Sequence, residues 1–312
     1  MTAALRARVA STRRFSLPTR SRPAASTPAV LPPLSGRRRL IRSVAVVVLV
    51  LCASLLLHFA VVSRLQQSAA QQRSFDRFRA DLANGVLPIG PNDADGNALV
   101  GGTPVAQLEI PALELSQVVV EGTSSGDLFN GPGHLRNTPL PGQAGTSAIV
   151  GRRAAYGGPF GQLRELEAGD AIVVTTGQGE FEYSVIGVRR EGDPLPDPVE
   201  ADGSRLVLAT ADGAPFIPEG VLRVDAELDG EAVGGAARSS RLDPYERLMA
   251  GDTNSLWRLA LWLQALIAAA VTSVWAWHRW GRAQAWIVCF PPLMLIGLFT
   301  SGELARLLPN LT

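Results

Sequence analysis

Apolar and polar positions follow three different patterns along this chain. The longest continuous apolar runs lie before and after its middle part. Residues 44–62 form a 19-residue run without a formal charge. Two further runs cover residues 256–277 and 285–301. A helix needs ~20 predominantly apolar residues to cross a bilayer. The pattern therefore predicts three transmembrane helices at 44–62, 256–277 and 285–301.

The stretch after the first apolar run has a helical period. Its apolar residues recur at roughly every third or fourth position, as Leu65, Ala69, Phe75, Phe78 and Leu82. This spacing predicts a stalk helix over residues 63–84. Residues 85–102 are rich in Gly, Pro, Asn and Asp, which indicates a turn-rich linker, so 63–102 is expected to join the membrane to a folded domain.

Residues 103–229 have the short period of β-structure. Runs rich in β-branched residues are separated by Pro-Gly, Gly-Gly and Asp-Gly turn signals, and lie at 116–120, 147–150, 171–176, 181–188, 205–210 and 221–228. Many short strands with such punctuation predict an all-β barrel or sandwich. Residues 230–255 return to Gly, Ala, Ser and charged residues and are expected to form a second linker.

Charge is strongly segregated along the chain. Residues 1–43 carry ten arginines and no acidic residue, whereas residues 63–255 carry 27 acidic residues against 15 arginines. Because basic flanks stay on the cytoplasmic side, we expect a disordered cytoplasmic tail at 1–43, a cytoplasmic loop at 278–284 and an extracytoplasmic tail at 302–312. The acidic middle domain then lies outside a plasma membrane, and its charge disfavours nucleic-acid binding.

Generic catalytic and cofactor motifs are scarce. The only two cysteines, Cys52 and Cys289, lie in apolar runs, and His134 is the single histidine of the middle domain. One histidine without cysteine does not make a zinc site, and the Gly-Pro tracts are turns instead of phosphate loops. The sequence therefore predicts neither a metal nor a cofactor.

An ordered set of segments in the middle domain carries more information. The segments are LEIPAL at 108–113, VVVEGT at 118–123, GPGHL at 131–135, NTPLPG at 137–142, GTSAIVGRR at 145–153, GGPF at 157–160, RLVLATADG at 205–213 and LRV at 222–224. Together they resemble sortases, the cysteine transpeptidases of bacterial cell envelopes, and most closely the class E type of actinobacteria. The resemblance implies a mostly β fold, in which a sortase-like closed β-barrel ectodomain at 103–229 is flanked by three transmembrane α-helices.

The resemblance also implies where catalytic residues would stand. Sortases use a cysteine thiolate, a nearby histidine and an arginine that steadies the oxyanion or the peptide. In this sequence the matching positions hold Ala211, Arg152 and Arg223 respectively. Only the arginine position is retained, and no catalytic set is intact.

These replacements change the chemistry that is available. Alanine has no nucleophile, and an arginine with an ordinary pKa above ~12 cannot cycle a proton at neutral pH. We therefore expect a catalytically inactive relative of sortases. The alternative is an active transpeptidase or hydrolase with an unorthodox nucleophile. Thr210 precedes the nucleophile position, but its hydroxyl should point away from the cleft because strand residues alternate in direction.

A binding function follows as the leading hypothesis. If the barrel is preserved, Arg152 and Arg223 should face one groove above Ala211, with His134 and Thr210 as further ligand-binding candidates. Two guanidinium groups in a cleft favour an anionic ligand, although each could instead pair with a local acid such as Asp212 or Asp225. The expected partners are an envelope peptide, a sorting-signal protein or an anionic wall precursor. A membrane protein could also pair with residues 256–301, with the barrel as a spacer.

Overall fold

The architecture is a closed β-barrel with helices on both sides of it along the chain. The computed structural model describes residues 36–93, 97–235, 244–251, 256–280 and 282–311. Its α-helices are α1 (Gly36–Leu57), α2 (Ser63–Ala83), α3 (Leu256–Trp280) and α4 (Arg282–Arg306). A π-helical segment, His58–Val62, joins α1 to α2 without a break in the helix.

Eight strands form the barrel. They are β1 (Pro104–Ile110), β2 (Leu115–Glu121), β3 (Gly133–His134), β4 (Gly145–Val150), β5 (Ala171–Thr176), β6 (Gly179–Arg189), β7 (Ser204–Ala214) and β8 (Ile217–Leu228). The order around the barrel is β1-β2-β3-β4-β7-β8-β6-β5, closed by pairing of β5 with β1. Only the β2/β3 and β4/β7 pairs are parallel. The six predicted runs all lie within strands, and the predicted closed barrel is confirmed.

Alternation along each strand fills the barrel. In β7 and β8 the inward residues include Leu206, Leu208, Leu222 and Val224, each at most 3% exposed. Large side chains from the other strands and from the loops meet them there, including Leu108, Ile149, Phe160, Ile172 and Tyr183. Full burial of each such side chain stabilises the fold by roughly 1.5–3 kcal/mol before entropy losses are counted.

The helix predicted as a stalk is present but does not stand apart from the barrel. Gln71 of α2 donates from its side-chain nitrogen to the carbonyls of Val118 and Asn130, and its side-chain oxygen accepts the Val118 amide. Phe78 of the same helix is buried against Leu87 and Val118. The side-chain amide of Gln71 thus forms hydrogen bonds with backbone groups of β2, and α2 packs against this side of the barrel.

The boundary between the predicted tail and the first helix differs from the sequence prediction. The tail was predicted over 1–43, but α1 begins at Gly36 and includes the arginine-rich residues 36–42. Residues 1–35 lie outside the described residues. The chain divides into two compact units, Met1–Arg42 and Ser43–Thr312, and the barrel belongs to the second unit together with α2, α3 and α4.

The C-terminal hairpin is also longer than predicted. Both ends of the loop expected at 278–284 are helical, since α3 continues to Trp280 and α4 begins at Arg282, and residue 281 lies outside the described residues. The tail expected at 302–312 starts with helix, since α4 runs to Arg306 through the helix-forming sequence Glu303–Arg306. Three stretches are long and apolar enough to cross a membrane, Val44–Ala83, Leu256–Trp277 and Ile287–Arg306.

The two predicted linkers are partly structured. In the first, Leu87 and Leu99 are buried and an isolated bridge joins Asn92 to Ala98. In the second, residues 244–251 contain a short 3-10 turn whose Glu246 carboxylate lies 2.6 Å from Nε of Arg136. Residues 236–243 and 252–255 of that linker lie outside the described residues. The described part of the second linker is therefore fixed to the barrel.

Candidate functional site

The register of β7 with β8 defines one outer face of the barrel. Ala209 pairs with Arg223, and Ala211 pairs with Val221. Ala209, Ala211 and Val221 belong to an outer apolar cluster, whereas Leu208 and Leu222 lie in the barrel core. Because directly paired residues share a face, Arg223 lies on the same outer side as Ala211. The structure thus brings these two of the three predicted positions to one face.

Thr210 lies on the opposite face. It pairs with the core residue Leu222 and is 1% exposed, and its hydroxyl has no hydrogen-bond partner among the described residues. The prediction that this hydroxyl points away from the cleft is confirmed. Thr210 is therefore not placed to bind a ligand on the Ala211 face.

Arg152 is placed differently from the expectation of an open two-arginine groove. It follows the end of β4 and is fully buried. Its Nη2 donates to Oγ of Ser125 at 2.8 Å, and its guanidinium carbon lies 4.9 Å from the ring centre of Phe129 and 5.4 Å from that of Tyr156. Cation–π contacts of this kind compensate a desolvated guanidinium. Arg152 therefore belongs to an aromatic cluster and not to a solvent-open cleft.

This aromatic cluster connects the barrel to the helices. The rings of Phe129 and Tyr156 are stacked at 4.0 Å, and Arg306 of α4 places its guanidinium carbon 5.3 Å from the Phe129 ring centre. The Tyr156 hydroxyl lies 3.2 Å from Nε2 of His58, in the π-helical segment. Arg152, the predicted counterpart of a catalytic histidine, is thus part of the contact between the barrel and two helices.

Burial shifts the pKa of two members of this cluster. Desolvation lowers the pKa of Arg152 to about 10, although the neighbouring Tyr156 opposes this change. Burial raises the pKa of Tyr156 to about 12, against the opposing effects of the Arg152 and Arg306 cations. At neutral pH Arg152 therefore remains a cation and Tyr156 remains neutral.

We expect the tyrosine shift to be visible in an alkaline titration. An unfolded chain releases the Tyr156 proton near pH 10, whereas the folded chain holds it until about pH 12. Raising the pH from 10 to 12 should therefore weaken the contribution of Tyr156 to stability, which is fully present below pH 10. Tyrosinate absorbance of the native chain minus that of Tyr156→Phe should give one transition near pH 12. A difference transition near pH 10 would contradict the buried environment.

Ala211 lies at the floor of an apolar pocket that is already occupied. It is 2% exposed and packs in one cluster with Leu128, Val150, Ala209, Val221 and Leu311. Leu311 is itself fully buried. The occupant comes from the segment Leu307–Leu311 after α4, here called the post-helix segment. This part of the predicted extracytoplasmic tail therefore packs on the Ala211 face.

Arg153 and Asn310 hold the post-helix segment, and sequence reasoning missed both. The amide of Arg153 donates to the Leu311 carbonyl at 2.9 Å, and its Nη1 donates to the Ala211 carbonyl at 3.2 Å. The side-chain nitrogen of Asn310 lies within 3.2 Å of the carbonyls of Thr123, Tyr245 and Arg247. Arg153 ends the segment 145–153, which resembles sortases, but nothing in the sequence linked it to residue 311.

His134 is a structural residue of the barrel wall. It is fully buried, its Nε2 lies 2.9 Å from the Pro139 carbonyl, and its Nδ1 lies 3.0 Å from the Glu121 carboxylate. A carbonyl only accepts, so Nε2 donates to Pro139, while Nδ1 faces the Glu121 carboxylate. Both ring nitrogens are engaged in these contacts. His134 therefore does not line the Ala211 face.

Arg223 has a different set of neighbours from Arg152. Burial lowers its pKa first, and the nearby Arg189 lowers it further, against Asp225 and Glu191. Asp225 binds Arg189 through two contacts, of 2.5 and 3.2 Å. The other acid predicted as a partner, Asp212, contacts Arg190 at 3.1 Å and Arg153 at 3.9 Å. The half-buried Arg223 thus stands in a mixed-charge group beside the occupied pocket.

Metal-binding side chains are not assembled at this face. Within the described ranges, no group of three or more His, Cys, Asp or Glu residues could hold a metal ion. Cys52 and Cys289 lie in α1 and α4, away from the barrel strands. The chemistry of the site is therefore that of an apolar pocket, main-chain hydrogen-bond groups and arginines.

Much of the barrel sequence matches a known protein family. Residues 108–214 match the family model of the sortase domain. Sortase D of Bacillus subtilis (strain 168) is 34% identical over 124 residues, which cover 40% of this chain. The chain spans 57% of the length of that relative. Sortases are typically cell-wall transpeptidases that act on proteins carrying a sorting signal.

Two solved sortases match about half of this chain. The Clostridium perfringens sortase D5 transpeptidase is 20% identical with a TM-score of 0.43, and 52% of this chain covers 99% of it. Sortase E from Streptomyces avermitilis is 31% identical with a TM-score of 0.37, and 48% of this chain covers all of it.

Proposed function

We propose that this protein is a membrane-anchored, catalytically inactive sortase-like module that binds peptide segments of cell-envelope proteins. One observation supports the proposal: Ala211 and a fully buried Arg152 stand where the resemblance to sortases expects the catalytic cysteine and histidine. The segments at 145–153 and 205–213 favour the class E type. An anionic wall precursor is a further ligand consistent with Arg223.

The side chains of the site support inactivity. Acyl transfer by a sortase needs a nucleophile and a group that exchanges a proton near neutral pH. The methyl group of Ala211 supplies no nucleophile, and Arg152 stays protonated because its pKa is about 10. Two strand residues with a hydroxyl group, Ser147 and Thr210, pair with core residues of the barrel and are at most 1% exposed. Their burial opposes an unorthodox nucleophile.

The proposed location is the outer face of a bacterial plasma membrane. Three stretches are apolar enough to span a bilayer, and residues 1–43 carry ten arginines. The positive-inside rule then puts the chain's first residues in the cytoplasm and the acidic barrel outside. Many apolar side chains of α3 and α4 are exposed, including Ile267, Val271 and Ile287, and suit lipid or a membrane-protein partner.

The test is an assay of the full chain in detergent micelles with a fluorescent peptide that corresponds to a cell-wall sorting signal. We expect saturable binding without release of a cleaved product. The matched variant combines Arg152→His with Ala211→Cys, because it returns an imidazole and a thiol to the two positions. Cleavage should then be measurable only in the double variant. Cleavage by the unchanged chain would show that a different nucleophile works there.

A further inference from the structure

We propose that the Ala211 face is a groove for a short peptide with an Asn-Leu pair, and that the post-helix segment is its ligand in cis. This inference rests on the proposed peptide-binding function and names both the ligand class and its regulation. A peptide from another protein then binds only when residues 307–311 leave the groove. The amides of Leu307 and Leu308 still bond to carbonyls of α4, so the contacts with the groove come from Asn310 and Leu311.

Main-chain hydrogen bonds reach this segment from both sides of the groove. The amide of Arg153 donates to the Leu311 carbonyl at 2.9 Å. From the other side, the Ala250 carbonyl accepts the amide of Asn310, also at 2.9 Å. Main-chain hydrogen bonds give a bound segment affinity without regard to its side chains, whereas pockets give specificity. They explain how the groove could accept a segment from another chain.

Side-chain recognition comes from a ring of carbonyls around Asn310. Its fully buried side-chain nitrogen lies 3.0 Å from the Thr123 carbonyl, 2.9 Å from that of Tyr245 and 3.2 Å from that of Arg247. Three acceptors select a donor, so a carboxylate in the same place would meet only repulsive oxygen atoms. The groove therefore distinguishes an asparagine from an aspartate of the same shape.

The neighbouring pocket selects an apolar side chain. Leu311 fills the space bounded by Leu128, Val150 and the outer face of β7 and β8, with Ala211 among its neighbours. A small residue at position 211 leaves more room for this leucine than a larger residue would. The replacement that removes the nucleophile thus also suits the floor to an apolar ligand.

The covalent link makes the post-helix segment a strong competitor. A tethered ligand has an effective concentration on the order of 1 mM. For a peptide with an intrinsic Kd of about 10 μM, this raises the apparent Kd about 100-fold. Disruption of the contacts made by Asn310 should remove this competition without altering the floor of the groove.

The experiment uses the full chain in detergent micelles and a fluorescein-labelled peptide with the sequence of residues 305–311. Asn310→Asp puts a carboxylate among the three carbonyls, and the matched control Asn97→Asp makes the same change at an exposed site. We expect Asn310→Asp to bind the peptide at least 10-fold more tightly than the native chain and Asn97→Asp. A peptide with aspartate in place of its asparagine should bind none of them.

Equal peptide affinity of the native chain and Asn310→Asp would overturn the inference. So would a lack of binding by Asn310→Asp while hydrogen exchange shows β7 and β8 to be intact. Leu311→Ser serves as a second variant, because it empties the pocket without adding a charge. Sorting-signal peptides separate the two proposals: if they fail to bind where the 305–311 peptide binds, only the proposed function fails. If they bind the native chain and Asn310→Asp equally, only the cis-ligand inference fails.

Discussion

Replacement of Phe160 by alanine is expected to lower the free energy of unfolding by about 3–5 kcal/mol. Phe160 is fully buried in the barrel core, and a Cβ added to Gly151 would lie only 2.4 Å from its ring. Its amide donates to the Arg152 carbonyl at 3.1 Å. The ring therefore supports the backbone of residues 151–153, which carries the aromatic cluster and the Leu311 contact.

Hydrogen exchange in β4 and β7 of the full chain would measure this loss, because amides of the core strands report the free energy of global opening. Leu195→Ala is the matched control, since Leu195 is 79% exposed and its truncation should cost under about 0.5 kcal/mol. If the two variants opened with the same free energy, Phe160 would not hold the barrel. Gly151→Ala should also destabilise the domain, by about 1–3 kcal/mol, because it crowds the same ring.

Glu121→Leu is expected to destabilise the barrel by about 3–5 kcal/mol. The carboxylate of Glu121 lies on β2 at 3.0 Å from Nδ1 of His134 on β3, and both side chains are at most 3% exposed. Removal of one partner leaves a buried imidazole without its carboxylate. Glu121→Gln should cost less, because an amide oxygen can still accept from Nδ1. Hydrogen exchange of β2 and β4 would measure each effect.

A double-mutant cycle gives this prediction its control. When Glu121→Leu is combined with His134→Leu, the polar pair is replaced by two apolar side chains, so the double variant should be more stable than Glu121→Leu alone. Additive losses would show that the two residues do not act as a pair. The same cycle tests whether His134 has the structural role assigned by its contacts.

The sequence predicted the barrel strands with long β-branched runs and missed the two that have weak local signals. Strand β1 (Pro104–Ile110) alternates polar Gln107 and Glu109 with apolar neighbours, but it lacks the run of β-branched residues that marks the six predicted strands. Strand β3 has two residues, and a Cβ on its Gly133 would lie 2.1 Å from the Gly122 carbonyl. Such short strands are defined by pairing between distant segments, which local patterns do not report.

Only part of the candidate site was predictable, because several of its contacts join segments that are distant in the sequence. Register placed Ala211 and Arg223 on one face, as strand alternation predicts, but the burial of Arg152 depends on Phe129 and Tyr156 from two separate loops. Leu311 reaches the Ala211 cluster only because α4 extends to Arg306 and directs the chain back to the barrel. Contacts across about a hundred positions leave no trace in residue spacing.

The order of synthesis determines when the Ala211 face can be covered by the post-helix segment. The barrel is complete at Leu228, whereas the residue that fills its pocket is Leu311. At about 5–20 residues per second, a ribosome needs roughly 4–17 s to add the intervening residues. During that interval the barrel sequence has been made and the residue that covers Ala211 has not. If the post-helix segment is a ligand in cis, a partner that acts during biosynthesis meets an uncovered Ala211 face, and one that arrives later meets a covered one.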